Sequence, residues 1–355
     1  MKEGKAPTVA VLGIDHRHAF GMLGGMLKAG CSAKGWWTVG SPIPLAGFSK
    51  RFADIPRVAD KRTLLDDPEI DMVIISCIPG DRAALAIEAM EAGKDVMVDK
   101  PGCVSLEELE QIRAVVARTG RIWSVDYGEH FEVPCVMKAA ALIREGAIGR
   151  VVQTIGMGPH RHNRDLREPW FYQKDRYGGI LADIGSHQID QFMFFTGSEK
   201  VEIISSAVAN YANPNDVEFE DFGEIVLQGD KGHGYIRLDW YTPDALPNWG
   251  DGRLTILGTE GYIELRKYVD VAGRPGTDHL FLTNKERCEY IDASATPLTY
   301  FDHIVADIRD RTETAMTQSH CFEVMRLALT AERDARRLGH LSPATESMPA
   351  VRRLA

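Results

Sequence analysis

Three runs in the first part of the 355-residue chain restrict its fold more than any other feature: Thr8–Leu12, Met72–Ile78, and Asp95–Val98 apart from its leading acid are almost wholly apolar. A strand that is apolar on both faces finds cover only in a parallel sheet flanked by helices. The intervening segments supply those helices. Asp81–Ala92 places Ala83, Ile87 and Met90 on one face, and Gly93 stands where a helix C-cap is expected. Ser105-Leu106-Glu107-Glu108 has capping-box spacing and opens a helix that carries Leu106, Leu109, Ile112 and Val116 inward and stops at Gly120. Strand and helix alternate, which predicts an α/β Rossmann-type N-terminal domain over residues 1–126.

After about residue 150 the pattern changes. Tyr235–Tyr241 alternates, with Ile236, Leu238 and Trp240 on one side and Tyr235, Arg237 and Asp239 on the other. Similar strands are expected at Val151–Met157, Val201–Ala209, Phe222–Gln228, Arg253–Leu257 and Tyr262–Leu265, and helices at Pro134–Glu145, Asp183–Thr196 and Gln318–Leu338. Repeated short strands with turn signals between them predict an α+β C-terminal domain, residues 127–355, with an open, largely antiparallel sheet.

Composition excludes several functions. The formal net charge is −10 and no long basic run occurs, so nucleic acid is not an expected partner. The six cysteines lack CxxC or zinc spacing and are read as free thiols in a reducing compartment. Met1–Pro7 is short and polar, without signal-peptide architecture, and no apolar stretch is long enough for a membrane span. These features predict a cytoplasmic protein.

The first strand runs into Gly13-Ile14-Asp15-His16-Arg17-His18. A dinucleotide site places G-x-G-x-x-G at this turn so that backbone amides reach the pyrophosphate. Here only Gly13 is retained, with Asp15 and His18 at the other two glycine positions. Asp15 brings negative charge toward the phosphate position, and His16, Arg17 and His18 offset it. A second strand is expected at Pro44–Phe48, followed by Ser49, Lys50 and Arg51. An NAD site usually has an acid there for the ribose 2′-hydroxyl; a hydroxyl and two cations predict NADP over NAD.

Two further motifs identify a family. Val98-Asp99-Lys100-Pro101 follows the third apolar run, and Gly178-Gly179-Ile180-Leu181-Ala182-Asp183-Ile184-Gly185-Ser186-His187-Gln188-Ile189-Asp190 lies in the second half. They resemble the (E)KP and GGGxxxDxGxHxxD signatures of the glucose–fructose oxidoreductase, inositol dehydrogenase and rhizopine catabolism (Gfo/Idh/MocA) family, with Asp99 where Glu is usual. On one helix Asp183, His187 and Asp190 would share a face, and a carboxylate beside an imidazole suits proton transfer.

The resemblance implies an NAD(P)-dependent dehydrogenase or reductase acting on a sugar, inositol or related polyol. Lys100 would polarise the reacting oxygen, His187 would be the general acid/base, and Asp183 would position the substrate. Gly13, Ile14, Asp15, His16, Ile78, Pro79, Asp99 and Lys100, with Ser49, Lys50 and Arg51, would line the cofactor. His160, Trp170 and Trp240 would join Lys100, Asp183 and His187 around the substrate.

Arg161, Arg164 and Arg167 beside these aromatics would suit an oxygen-rich ring bearing an acidic group. His160, His162, Asp183 and His187 are also residue types that suit zinc or manganese, but no metal is expected. A homodimer or homotetramer through the open sheet face is expected. Two other functions stay open: a lyase or hydrolase that uses tightly held NAD transiently, and a non-catalytic ligand-binding member of the family.

Overall fold

The computed structural model describes residues 6–339; Met1–Lys5, most of the polar stretch Met1–Pro7, and His340–Ala355 lie outside the described residues. The first sheet contains β1 (Thr8–Leu12), β2 (Ser32–Trp37), β3 (Met72–Ile75), β4 (Asp95–Asp99) and β5 (Trp123–Asp126), all parallel, in the order β2-β1-β3-β4-β5. Every residue of β1, β3 and β4 is buried, as strands covered on both faces require. Around them run α1 (Ala19–Lys28), α2 (Leu45–Arg51), the short α3 (Arg62–Leu65), α4 (Pro79–Glu91) and α5 (Leu106–Thr119). Ser105 caps α5 by accepting a hydrogen bond from the Glu108 amide at 3.2 Å. The Glu108 carboxylate reaches back to the amide of Val104, at 2.9 Å, one residue before the cap.

The expected strand at Pro44–Phe48 is not a strand: these residues lead into α2, and the second strand is Ser32–Trp37. Leu45, Phe48 and Phe52 recur at helical spacing and pack inward, whereas β2 begins with partly exposed polar residues and has no continuous apolar run. Ser49, Lys50 and Arg51 therefore occupy the last turns of α2, away from the end of β2. Arg51 lies over the rings of Phe20 and Phe52.

The second sheet has nine strands: β6 (Val151–Pro159), β7 (Val201–Ala209), β8 (Phe222–Gly229), β9 (His233–Asp239), β10 (Arg253–Gly258), β11 (Gly261–Arg266), β12 (His279–Asn284), β13 (Cys288–Asp292) and the two-residue β14 (Arg336–Arg337). Their order is β13-β12-β11-β10-β6-β9-β8-β7-β14; β6–β9 and β7–β14 are parallel and the other pairs antiparallel. β12 and β13 add to the strands read from sequence. One face is covered by α7 (Pro134–Arg144), the short α9 (Ile180–Asp183) and α10 (Gly185–Thr196); α6 (Gly128–Phe131) packs on α7 and α10, and the short α8 (Lys174–Tyr177) on α4.

The chain then returns to the first sheet. α11 (Tyr300–Asp310), which alternation of strands did not reveal, packs on α1, and α12 (Gln318–Arg333) bridges α9, α10 and β7 on one side and α5 and β5 on the other. The edge strand β5 is closed by side chains of α12: Gln318 accepts from the Trp123 amide at 3.1 Å and Cys321 Sγ from the Val125 amide at 3.3 Å. All six cysteines are free thiols, five of them buried.

Candidate active site

The first sheet reverses its strand order between β1 and β3, where α/β folds open a crevice at the carboxyl ends of the strands. Gly13 lies there with φ +79°, and an ideal Cβ on it would stand 2.3 Å from Cys77 Cβ. Only glycine permits this approach of the turn to the end of β3. A cavity of about 410 Å3 extends from the turn toward the second sheet.

Lys100 follows directly on the last residue of β4. Asp183 is brought opposite by α9, whose first amides are held by two carboxylates: Ile180 N donates to Glu220 at 3.1 Å and Leu181 N to Glu332 at 2.8 Å. Lys174 bridges both acids. Gly178 and Gly179 carry φ of +90° and +96°, and a Cβ on Gly179 would meet the Glu332 carboxyl at 2.2 Å, so the paired glycines belong to this cap. Lys100 Nζ then donates to Asp183 Oδ1 at 2.6 Å, joining residues 83 apart in sequence. Burial pushes the Asp183 carboxyl up, but Lys100, His16 and His160 outweigh it and hold it below the usual carboxylate range.

The second sheet supplies the opposite wall. β6 and β9 are parallel neighbours in register Pro159↔Asp239, so the next residues, His160 and Trp240, emerge together beside the cavity with ring centroids 5.3 Å apart. Trp170 and Trp249 complete an aromatic wall. Burial lowers the His160 pKa to about 4.

On the cofactor side, Asp15, His16 and Pro79 line the cavity. Gly13 and Asp99 are near but not on its wall, Ile14 is wholly buried in the core, and Ile78 precedes the first turn of α4. Ser49, Lys50 and Arg51 do not line it. β2 is followed instead by Thr38-Val39-Gly40-Ser41, and Arg57 Nη2 donates to the carbonyls of Thr38 and Gly40 at 3.3 and 3.0 Å. The preference for NADP drawn from Ser49, Lys50 and Arg51 loses its basis, although no acid follows the true second strand either.

Asp99 is fully buried and accepts from Arg82 Nη2 (2.9 Å), Ser76 Oγ (3.0 Å) and His18 Nδ1 (2.8 Å), while His16 Nδ1 lies 3.1 Å from it. Burial alone would raise its pKa; Arg82, His18 and His16 more than reverse this and keep it ionised. Among the described residues, His16, His18 and Asp99 are the His/Cys/Asp/Glu group whose ligand atoms converge, and the Arg82 guanidinium on the same carboxylate opposes a cation there. His160, His162, Asp183 and His187 do not converge in that way.

Burial, reinforced by Glu168, raises the Asp15 pKa to about 6. The turn, the start of α1 and the cations Arg17 and Lys100 would suit a nicotinamide dinucleotide, whose phosphates an ionised Asp15 would oppose.

His187 is 3% exposed and is not on the cavity wall. Burial lowers its pKa to about 3, and its Nδ1 has no hydrogen-bond partner. Asp190 does not share its environment: its carboxylate is taken by His130 and His320, each at 2.8 Å, and ties α6, α10 and α12 together. Asp183 and His187 fall in consecutive helical segments joined through Ile184, whose φ of −88° and ψ of −36° are helical, yet Asp183 lines the cavity and His187 does not. Arg82 was missed in the sequence, although an arginine on the apolar face of α4 was its signal.

Residues 46–127 match the model of the oxidoreductase family, NAD-binding Rossmann fold, and residues 136–264 that of the Gfo/Idh/MocA C-terminal domain. A crystal structure from Erwinia carotovora atroseptica, described as that of an oxidoreductase, is 42% identical and superimposes with a TM-score of 0.91 over 94% of this chain and 100% of that one. The chain belongs to the Gfo/Idh/MocA family of NAD(P)-dependent oxidoreductases. Among curated relatives, scyllo-inositol 2-dehydrogenase (NAD(+)) of Bacillus subtilis is 30% identical over 210 residues, 58% of this chain and 57% of that protein. Levoglucosan dehydrogenase of Pseudarthrobacter phenanthrenivorans is 32% identical over 160 residues, 44% of this chain and 41% of that protein. The chain thus spans about half the length of these curated relatives.

Proposed function

We propose that the chain transfers a hydride between NADP or NAD and a carbon-bound hydroxyl of a sugar, inositol or related polyol. The observation that carries this reading is the Lys100–Asp183 pair, 2.6 Å apart, delivered to one cavity from the end of a Rossmann strand and from a capped turn of the second domain. When bound, the nicotinamide supplies the hydride acceptor or donor. Lys100 donates from Nζ to the reacting oxygen and stabilises the negative charge that grows there. Asp183 fixes the direction of that ammonium. His187, buried off the cavity wall and kept neutral, is in this reading the group that takes the hydroxyl proton in the oxidative direction and returns it in the reductive one. His160, Trp170 and Trp240 hold the ring against the second sheet.

In the same reading residues 1–126 are the nucleotide domain, against which α11 returns to pack on α1, and the rest of 127–355 is the substrate domain. The free cysteines support a reducing, cytoplasmic setting. Among the described residues no helix is long and apolar enough to cross a membrane. The outward sheet face, where Leu257 and Tyr262 pair across β10 and β11 and are both exposed, supports a homodimer or homotetramer.

The test is incubation of the protein with NAD+ or NADP+ and a panel of polyols, following the absorbance of reduced nicotinamide. Net release of reduced cofactor is expected. Turnover without it would replace this reading with transient use of bound NAD.

A further inference from the structure

The cavity walls carry more positive charge than the chain as a whole, whose net charge is −10. Most of those cations are already matched. Lys100 is paired with Asp183 and Arg82 with Asp99. Arg161 Nη2 lies within hydrogen-bond distance of the carbonyls of Pro243, Asp244 and Leu246, at 2.9, 3.4 and 2.5 Å. Arg17 is exposed to solvent. Arg167 is different.

Its guanidinium lies over the rings of Phe171 and Trp240, with Cζ 4.3 and 4.9 Å from their centroids. Nε donates to the His162 carbonyl at 2.9 Å and Nη2 to that of Arg161 at 3.5 Å. Nη1 has no hydrogen bond, and no carboxylate among the described residues stands within ion-pair distance. Burial disfavours its charge and Asp183 offsets this only in part, without forming an ion pair with it. Its neighbour Glu168 is engaged by the Ile43 amide at 2.7 Å.

Two more donors on the same wall lack acceptors: the indole N–H groups of Trp170 and Trp240 are buried and unpaired. A planar fork with a free edge beside two unsatisfied donors is complementary to an oxyanion.

We infer that the substrate bears a carboxylate, as a uronic or aldonic acid does, and that Arg167 receives it through its free edge. This inference rests on the polyol dehydrogenase reading and narrows it. The stacking on Phe171 and Trp240 fixes the plane of the guanidinium, and the carbonyls of His162 and Arg161 fix its rotation. The carboxylate then sets which hydroxyl of the ring meets Lys100. A neutral sugar leaves Arg167 unmatched, which gives selectivity by an unpaired charge rather than by shape.

The experiment follows tryptophan fluorescence, with and without NADPH or NADH, while D-glucuronate, D-galacturonate and D-gluconate are titrated against D-glucose and myo-inositol; Trp170, Trp240 and Trp249 on the wall are the reporters. At least one acid is expected to bind the wild type about tenfold or more tightly than the neutral compounds. R167M is expected to weaken that binding by about 10- to 100-fold without weakening myo-inositol or NADPH binding. R167K, which keeps the charge but not the fork, should fall between them.

Equal binding of acids and neutral compounds by the wild type overturns the inference without need of any variant. Loss of NADPH or NADH affinity in R167M by the same factor overturns it too, and assigns the oxyanion to a cofactor phosphate. Failure of the dehydrogenase reading is distinct: acids would bind and quench fluorescence with no change in nicotinamide absorbance.

Discussion

Removing Lys100 separates its part in chemistry from its part in stability. The Lys100–Asp183 pair is almost fully buried, with side chains 4% and 11% exposed. At the pair's 2.6 Å separation and an effective dielectric of about 20, the attraction is ~6 kcal/mol. Desolvation of two ions, several kcal/mol each, cancels much of it. The pair therefore contributes little net stability, but loss of one partner leaves an unmatched charge, which typically costs about 3–5 kcal/mol.

In K100M burial acts on Asp183 without its principal counter-ion, so the carboxyl pKa should move from below its ordinary value to above it. The sign of the pH dependence then inverts. In the wild type the depressed Asp183 pKa stabilises the fold above the unfolded carboxylate pKa, and that contribution is lost as pH falls through the folded value. In K100M the stability contributed by a raised pKa is present at low pH and lost as pH rises through the folded value. Thermal unfolding from pH 4 to 8 should show the difference between the two proteins widening with pH. K100M/D183L should recover most of the stability, because an apolar replacement removes both buried charges. Neither variant should recover turnover, expected to fall by about 10²-fold or more. Near-normal steady-state rates in folded K100M, or a K100M–wild-type gap that does not change with pH, would refute the reasoning.

Three other outcomes follow from the site and the packing around it. Protonation of Asp15 removes negative charge from the phosphate turn, so calorimetric affinity for NADPH should fall as pH rises through about 6, and D15N should abolish that dependence. His187, with a pKa near 3, should contribute no inflection to kcat/KM at neutral pH, and H187A should lower turnover by about 10²-fold without altering circular dichroism. A Cβ on Gly25 would meet the Phe301 ring at 2.2 Å, so Gly25→Ala should force α1 and α11 apart and lower stability by about 1–3 kcal/mol in denaturant titration.

Much of the architecture was legible because burial imposes a local period. β1 and β7 have the bounds read from their apolar and alternating patterns, and Ser105 caps α5 as the Ser-x-x-Glu spacing required. Where a strand is only half buried, as at Ser32–Trp37, that period is absent and the more apolar helix at Leu45–Arg51 is mistaken for it. Lys100 and Asp183, singled out by their motifs, do meet across the cavity, and His160 and Trp240, expected around a substrate, both line it.

What only the tertiary structure decided is which groups meet and which remain alone. Arg82, His16 and His18 converge on Asp99, and Lys100 takes Asp183, through contacts between segments far apart in the chain. His187 and Asp190 lie three residues apart on one helix; the first is left with an unpaired Nδ1, and the second is consumed by His130 and His320. Arg167 was one of three arginines in a loop, and nothing in the sequence singled it out. Local sequence determines period and caps because those depend on neighbours along the chain. Pairing and desolvation of a charge depend on neighbours across it, which the packing of the two sheets alone brings together.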